Sequence, residues 1–220
     1  MTTHSKILTY TEALKDVRVL MIGATVTIAL IQLCFKEPVL QLRLIELGVS
    51  PNLAGLFFAL DLIGYISTSW FLGRFKNEEK DFPFIMWCSS FLAIFGLFLI
   101  GTIHLIGVPD SLYPFIFGTI VNGIAGALAL NNGVATTVNY LREKLGGDHS
   151  GYGESINNTT SGIFMFYFSL GEMLGPILGS VLTTVTGSFV KGVAIVDFAM
   201  LLWTGITLYH LAGYVFFKVE

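Results

Sequence analysis

Long apolar runs separated by short polar stretches set the rhythm of this chain. The first, VRVLMIGATVTIALIQLCF, covers about 17–35. Others follow at about 52–73, 83–106, 112–138, 155–185 and 193–217. A helix crosses a bilayer with roughly 20 mostly apolar residues. The pattern therefore predicts an all-α membrane protein with six transmembrane helices forming one domain over 17–217. A polar N-terminal segment, 1–16, precedes it, and a short end, 218–220, follows. The fourth and fifth runs exceed the minimum, which a tilt or an extra turn beyond the bilayer accommodates. The longest connections are 36–51 and 139–154. The stretch 74–82 carries the charged run KNEEKD, and 107–111 is a turn with Pro109. None of these leaves room for a soluble domain.

Composition agrees with lipid as the solvent. The chain is 54% hydrophobic and 12% charged, against about 25% charged in soluble domains. Its net charge of -3 is small, with no basic run for nucleic acid. Cys34 and Cys88 both fall in apolar runs and read as small hydrophobes, not a disulfide. The first sixteen residues lack the basic start and short apolar core of a secretory signal, and they are not Arg-rich like a mitochondrial presequence. With six spans, both termini share a side. That side collects Lys6, Lys15, Arg18, Arg74, Lys76, Lys80, Arg142, Lys144 and Lys218, while the other has Lys36, Arg43 and Lys191. The bias puts both termini in the cytoplasm, or in the matrix of a mitochondrion. The organelle, vesicle or mitochondrial inner membrane, stays open.

The stretch FKEPVLQLRLIELGVSPNLAGLFFALDLIGYISTSWFLGRFKNEEK joins an acidic-Pro pair, a short extended loop, LGVSP and a Gly-containing span that ends in a charged loop. It resembles helices seven and eight of the major facilitator superfamily, in the branch of drug-proton antiporters and vesicular amine transporters. Gly171-x-x-x-Gly175-Pro176-x-x-Gly179 is similar to the glycine-proline pattern of helix eleven there, and Thr186-Gly187 before the last span fits the end of such proteins. The resemblance runs from about 16 to 217 and matches the second half of a transporter. It implies half of a major-facilitator-type bundle, in which a substrate path forms only against another six-helix half. The implied cargo is a small organic cation exchanged for protons. One departure stands out. The family's loop often reads G-x-x-x-D-R-x-G-R; here Gly73-Arg74-Phe75-Lys76-Asn77-Glu78-Glu79-Lys80 has no aspartate at the fifth place and no second glycine.

Two carboxylates sit inside apolar runs. A charge there costs a few kcal/mol or more unless it protonates, pairs or faces water. Asp61, nine residues into the second span, reads as a cation or proton site, or as a hydrogen-bond partner of the Ser67–Ser69 hydroxyls. Glu172 reads as a second coupling or substrate carboxylate, or as an inert residue facing another subunit. Gly171, Gly175 and Gly179 repeat every four residues on one face, which admits a close neighbouring helix. Pro176 is a candidate kink. Asn122, Asn131 and Asn132 share no single stripe; they join helices or line a polar path. Glu37 reads as a helix-end residue, and Asp197 as one that reaches the interface. His104 and His210 lack metal-ligand spacing, the overlapping N-x-T at Asn157 and Asn158 lies on the positive-rich side, and Gly146, Gly147, Gly151 and Gly153 mark a turn. The sequence offers no nucleophile triad, metal site or nucleotide cradle, so neither an enzyme nor a cofactor is expected.

Two functions fit. One is a half-transporter completed by a second six-helix half, as a homodimer or with a partner chain. The alternative is a transport-dead structural subunit of a large membrane complex, such as a respiratory assembly, which the altered loop favours. A piece of a longer gene product is a third possibility and leads back to ordinary transport.

Overall fold

The computed structural model describes residues 7–74, 82–146 and 152–216, the side chains of 82, 83 and 210–216 apart. The charged loop with Lys76 and Lys80 lies outside these residues, as do Lys6, Gly147, Gly151 and Lys218. Every regular element among the described residues is helical. Helix α1 (Tyr10–Leu14) starts with a capping box, in which Thr9 and Glu12 each satisfy the other's backbone N–H. Helix α2 (Val17–Cys34) is capped by Asp16, which accepts from the Arg18 N–H. It is followed by α3 (Glu37–Glu46), α4 (Pro51–Arg74) and α5 (Phe82–Ile100). A 3-10 turn, Thr102–Ile106, leads to α6 (Leu112–Lys144), α7 (Gly153–Thr186) and α8 (Phe189–Phe216).

Among the described residues, five segments are long and apolar enough to cross a membrane: Val17–Glu46, Pro51–Arg74, Leu112–Lys144, Gly153–Thr186 and Phe189–Tyr209. This is consistent with an integral membrane protein in contact with lipid. The run expected at 83–106 is shorter as a helix. It ends at Ile100, where Gly101 (φ -149°, ψ -53°) leaves helical geometry, and the 3-10 turn closes on Gly107 at φ 90°. The connection after the first run also differs from the extended loop the resemblance implies. It is helix α3, because Pro38 sits in its first turn, where a missing N–H is harmless. Val39, Leu40 and Leu44 then bury one apolar face.

Glycines bring the helices together. Gly96 of α5 and Gly118 of α6 face each other's backbone, so a Cβ on either meets the partner's carbonyl oxygen at 3.0 or 2.7 Å. Gly64 of α4 and Gly123 of α6 make a second such crossing, against Ile120 and Asp61 backbone. The ladder on α7 lies on α2: a Cβ at Gly171 meets Leu30 Cβ at 2.6 Å and one at Gly175 meets Cys34 Cβ at 2.8 Å. One at Gly179 overlaps the Phe35 carbonyl oxygen. The Thr27 hydroxyl adds a 2.9 Å bond across this contact to the Tyr167 carbonyl. Cys34 and Cys88 are free thiols.

Ion pairs close both ends. At one, Asp16 accepts from Lys144 and from the Tyr140 hydroxyl, joining the start of α2 to the end of α6. At the other, Arg43 of α3 makes a forked pair to Asp110 (2.7 and 3.2 Å), with His104 Nε2 3.3 Å from the same carboxylate. Burial pushes the Asp16 carboxyl up, but the bonds from Lys144, Tyr140 and the Arg18 N–H together hold it below the usual range. The Arg43 bonds do the same for Asp110, against a smaller upward push from burial.

Gly179→Ala should destabilise the bundle by about 1–3 kcal/mol, as over-packing does. Gly55→Ala, with open space at its Cβ, should stabilise it by about 0.5–1 kcal/mol. Thermal unfolding in detergent separates the two. Both end carboxylates are depressed in the fold, so their stabilisation is complete above the ordinary value of about 3.9 and fades as pH falls through the folded values. The Asp16→Asn/Asp110→Asn variant should accordingly lose less stability than the parent on acidification below about pH 5, read from the same melts.

Candidate functional site

Lys36 stands at the break between α2 and α3. It is 3% exposed, and its Nζ donates to Asp61 Oδ1 at 2.9 Å. A second, longer contact reaches the Leu33 carbonyl at 3.5 Å. The Asp61 carboxylate is 20% exposed. Its place is set from behind, since Gly123 lets α6 press against the Asp61 backbone. The Ser67–Ser69 hydroxyls are not its partners in the fold. Ser69 instead accepts from Asn131 Nδ2 at 2.8 Å.

Glu37 adjoins this pair, and Glu172 lies near Glu37. Glu37 follows Lys36 directly and is exposed; it lies within electrostatic reach of Lys36, Asp61 and Glu172. Glu172 is exposed too. Its position follows from the ladder: Gly171 and Gly175 are pressed on α2 at Leu30 and Cys34, and Glu172, one residue round the helix from Gly171, emerges on the flank near Cys34 and Glu37. So Asp61 and Glu172, distant in sequence, both come within electrostatic reach of Glu37. Lys36 bonds Asp61 and adjoins Glu37, and Glu37 in turn lies within electrostatic reach of Glu172. Pro176 lies inside α7, which continues to Thr186.

The asparagines lie elsewhere and do not converge. Asn131 is exposed and bridges α6 to α4, donating to Ser69 and accepting from the Tyr65 hydroxyl at 3.5 Å. Asn132 turns back on its own helix, donating to the Leu128 carbonyl at 2.7 Å. Asn122 is fully buried, and its side-chain atoms have no hydrogen-bond partner among the described residues. Asp197 is buried at 4% exposure rather than reaching the interface, and accepts from the Thr102 hydroxyl at 2.8 Å.

Two members of the cluster carry weight that sequence reading assigned elsewhere. Lys36 entered only as a topological charge, and Glu37 only as a helix-end residue. A signal was present: the Lys-Glu-Pro step interrupts an apolar stretch that is helical almost throughout from Val17 to Glu46. Among the described residues no three His, Cys, Asp or Glu side chains stand together as a metal site. Comparison of the chain with protein-family models, with curated proteins and with solved structures finds no match.

Lys36→Met leaves the Asp61 charge without its partner, and removing one member of a buried pair costs about 3–5 kcal/mol. The double variant Lys36→Met/Asp61→Asn should recover more than half of that loss. A double-mutant cycle of thermal midpoints in detergent measures the coupling, and additive losses would contradict it.

Proposed function

We propose that this chain is half of a major-facilitator-like transport protein with six spans, α5 being the shortest, and with both termini on the cytoplasmic or matrix side. A second six-helix half, from a second copy or a partner chain, completes it. Its cargo is a small organic cation moved by proton-coupled exchange. The observation that carries this reading is that Glu37 is exposed next to a Lys36–Asp61 pair that is already neutralised, with Glu172, also exposed, within electrostatic reach of Glu37. Exposed carboxylates on spans that otherwise face lipid are costly unless they meet water, a cation or a proton. An excess of acid over base suits a site that alternates between protons and a cation. In this reading Glu172 and Glu37 exchange their charge partners, and Asp61 stays tied to Lys36 as a fixed strut. That shifts the exchanging role away from Asp61.

The second helical half is supported by what α4 and α7 leave uncovered. In the most apolar part of α4 6% of residues are buried, and in that of α7 17%, against 56% for the first and third of the five apolar segments. Alternating access needs such a face to rock against another bundle.

The structural-subunit reading has one observation of its own: the Lys36–Asp61 pair leaves no free charge on Asp61. Transport measurement decides between them. The purified protein, with whatever co-purifies, is reconstituted in liposomes under an imposed pH gradient, and uptake of a fluorescent cationic amine is followed. The proposal expects gradient-driven uptake that falls at least tenfold in Glu172→Gln and Glu37→Gln, with unchanged native mass in detergent. Absence of uptake together with recovery in a particle of many unrelated subunits would favour the structural role.

A further inference from the structure

Two small cavities lie inside the bundle, away from the carboxylate cluster, and share a wall formed by Thr25 and Ser90. One has about 20 Å³ of room for water centres and is lined by Met86, Trp87 and Thr136 among others. The second, about 10 Å³, reaches Gln32, Ser89 and Met200. A water needs roughly 10–15 Å³ of such space and two to four polar partners. Both cavities are of that order, and neither admits an organic ligand.

The polar partners are in place. Gln32 is 1% exposed; its Nε2 donates to the Ala93 carbonyl at 3.3 Å, and its Oε1 has no hydrogen-bond partner among the described residues. Thr136 is 6% exposed and its hydroxyl has none, nor has the Trp87 indole N–H. A buried polar atom left unbonded costs about 1–3 kcal/mol. These three line two adjoining cavities and have matching chemistry, since Trp87 donates, Gln32 Oε1 accepts and Thr136 does either. The wall residue Thr25 is already engaged: it donates to the Met21 carbonyl at 2.9 Å and accepts from Trp203 Nε1 at 3.2 Å. It ties α8 to α2.

We infer that the two cavities are an internal hydration site built from α2, α5, α6 and α8. One ordered water takes the Trp87 N–H and bonds the Thr136 hydroxyl; a second donates to Gln32 Oε1 and bonds the neighbouring serine hydroxyls. Along α2 the site extends from Met21 to Gln32, about 16 Å at 1.5 Å per residue. That is roughly half of a 30 Å hydrocarbon layer, so the site is a closed hydration pocket and not a conduit.

Radiolytic hydroxyl labelling in water enriched in oxygen-18 tests this on the full-length protein in detergent. Met86 and Met200 are 4% and 5% exposed, and Phe35 and Phe115 are 0% and 1% exposed without lining either cavity. The expected result is heavy-oxygen uptake at Met86 and Met200 several-fold faster than at Phe35 and Phe115. Thr136→Val should lower it at Met86 and Gln32→Met at Met200, each by several-fold. Labelling of both methionines at the rate of the phenylalanines would overturn the inference, as would labelling unchanged in variants that melt cooperatively. If a variant does not fold, the parent measurement alone decides.

Discussion

Backbone contact at glycine is the condition on which this bundle rests. Lipid tails are as apolar as leucine, so apolar side chains gain little by leaving lipid for one another. What remains is dense packing, and α6 and α7 obtain it where side chains are absent. Gly118 and Gly123 let α6 touch α5 and α4, while Gly171, Gly175 and Gly179 let α7 lie on α2. The positions of two acids within the apolar segments follow. Asp61 is placed by the Gly123 crossing, and Glu172 is turned to the flank because its neighbours are committed to α2.

Charges are then sorted by depth in the fold. At the two ends, Asp16 with Lys144 and Asp110 with Arg43 fasten chain segments far apart in sequence. Between them sits the Lys36–Asp61 pair, where desolvation offsets much of the attraction. Such a pair contributes little net stability, and its best-supported use is to set register. Here it joins the α2–α3 break to the middle of α4, the least buried of the five apolar segments. Beside it, Glu37 and Glu172 form no ion pair among the described residues.

Hydropathy made the helices legible, since a run of twenty apolar residues has few alternatives. Five of the expected runs correspond to segments long and apolar enough to span. The third run did not reveal its early end, because Gly101 breaks the helix by conformation while the following Thr102–Ile106 stays apolar. Helix α3 was hidden for the opposite reason: its polar face lowers hydropathy, and only the burial of Leu40 and Leu44 in three dimensions explains it. The glycine ladder was readable from its four-residue repeat, but not the identity of the helix it meets. Asp61 and Glu172 stood out singly as acids in apolar runs. Their common approach to Glu37 was not readable, because it depends on which faces the glycines bring inward.

One pattern on α4 was within reach of the sequence and ties these points together. Asp61, Tyr65 and Ser69 recur every four residues, and in the fold they meet Lys36 and Asn131. Polar bonds and the Gly64 crossing hold α4 on one side. Its remaining surface is apolar, with Leu56, Leu62, Ile63, Ile66 and Trp70 exposed. The uncovered surface therefore makes two different demands. Lipid or a packed helix satisfies α4, since it asks only for apolar contact. The edge formed by Glu37 and Glu172 needs a proton, a cation or water, which hydrocarbon does not supply. A neighbour that seals α4 without meeting those two acids would leave the larger cost unpaid, so they, more than the apolar helix, define what must stand opposite this bundle.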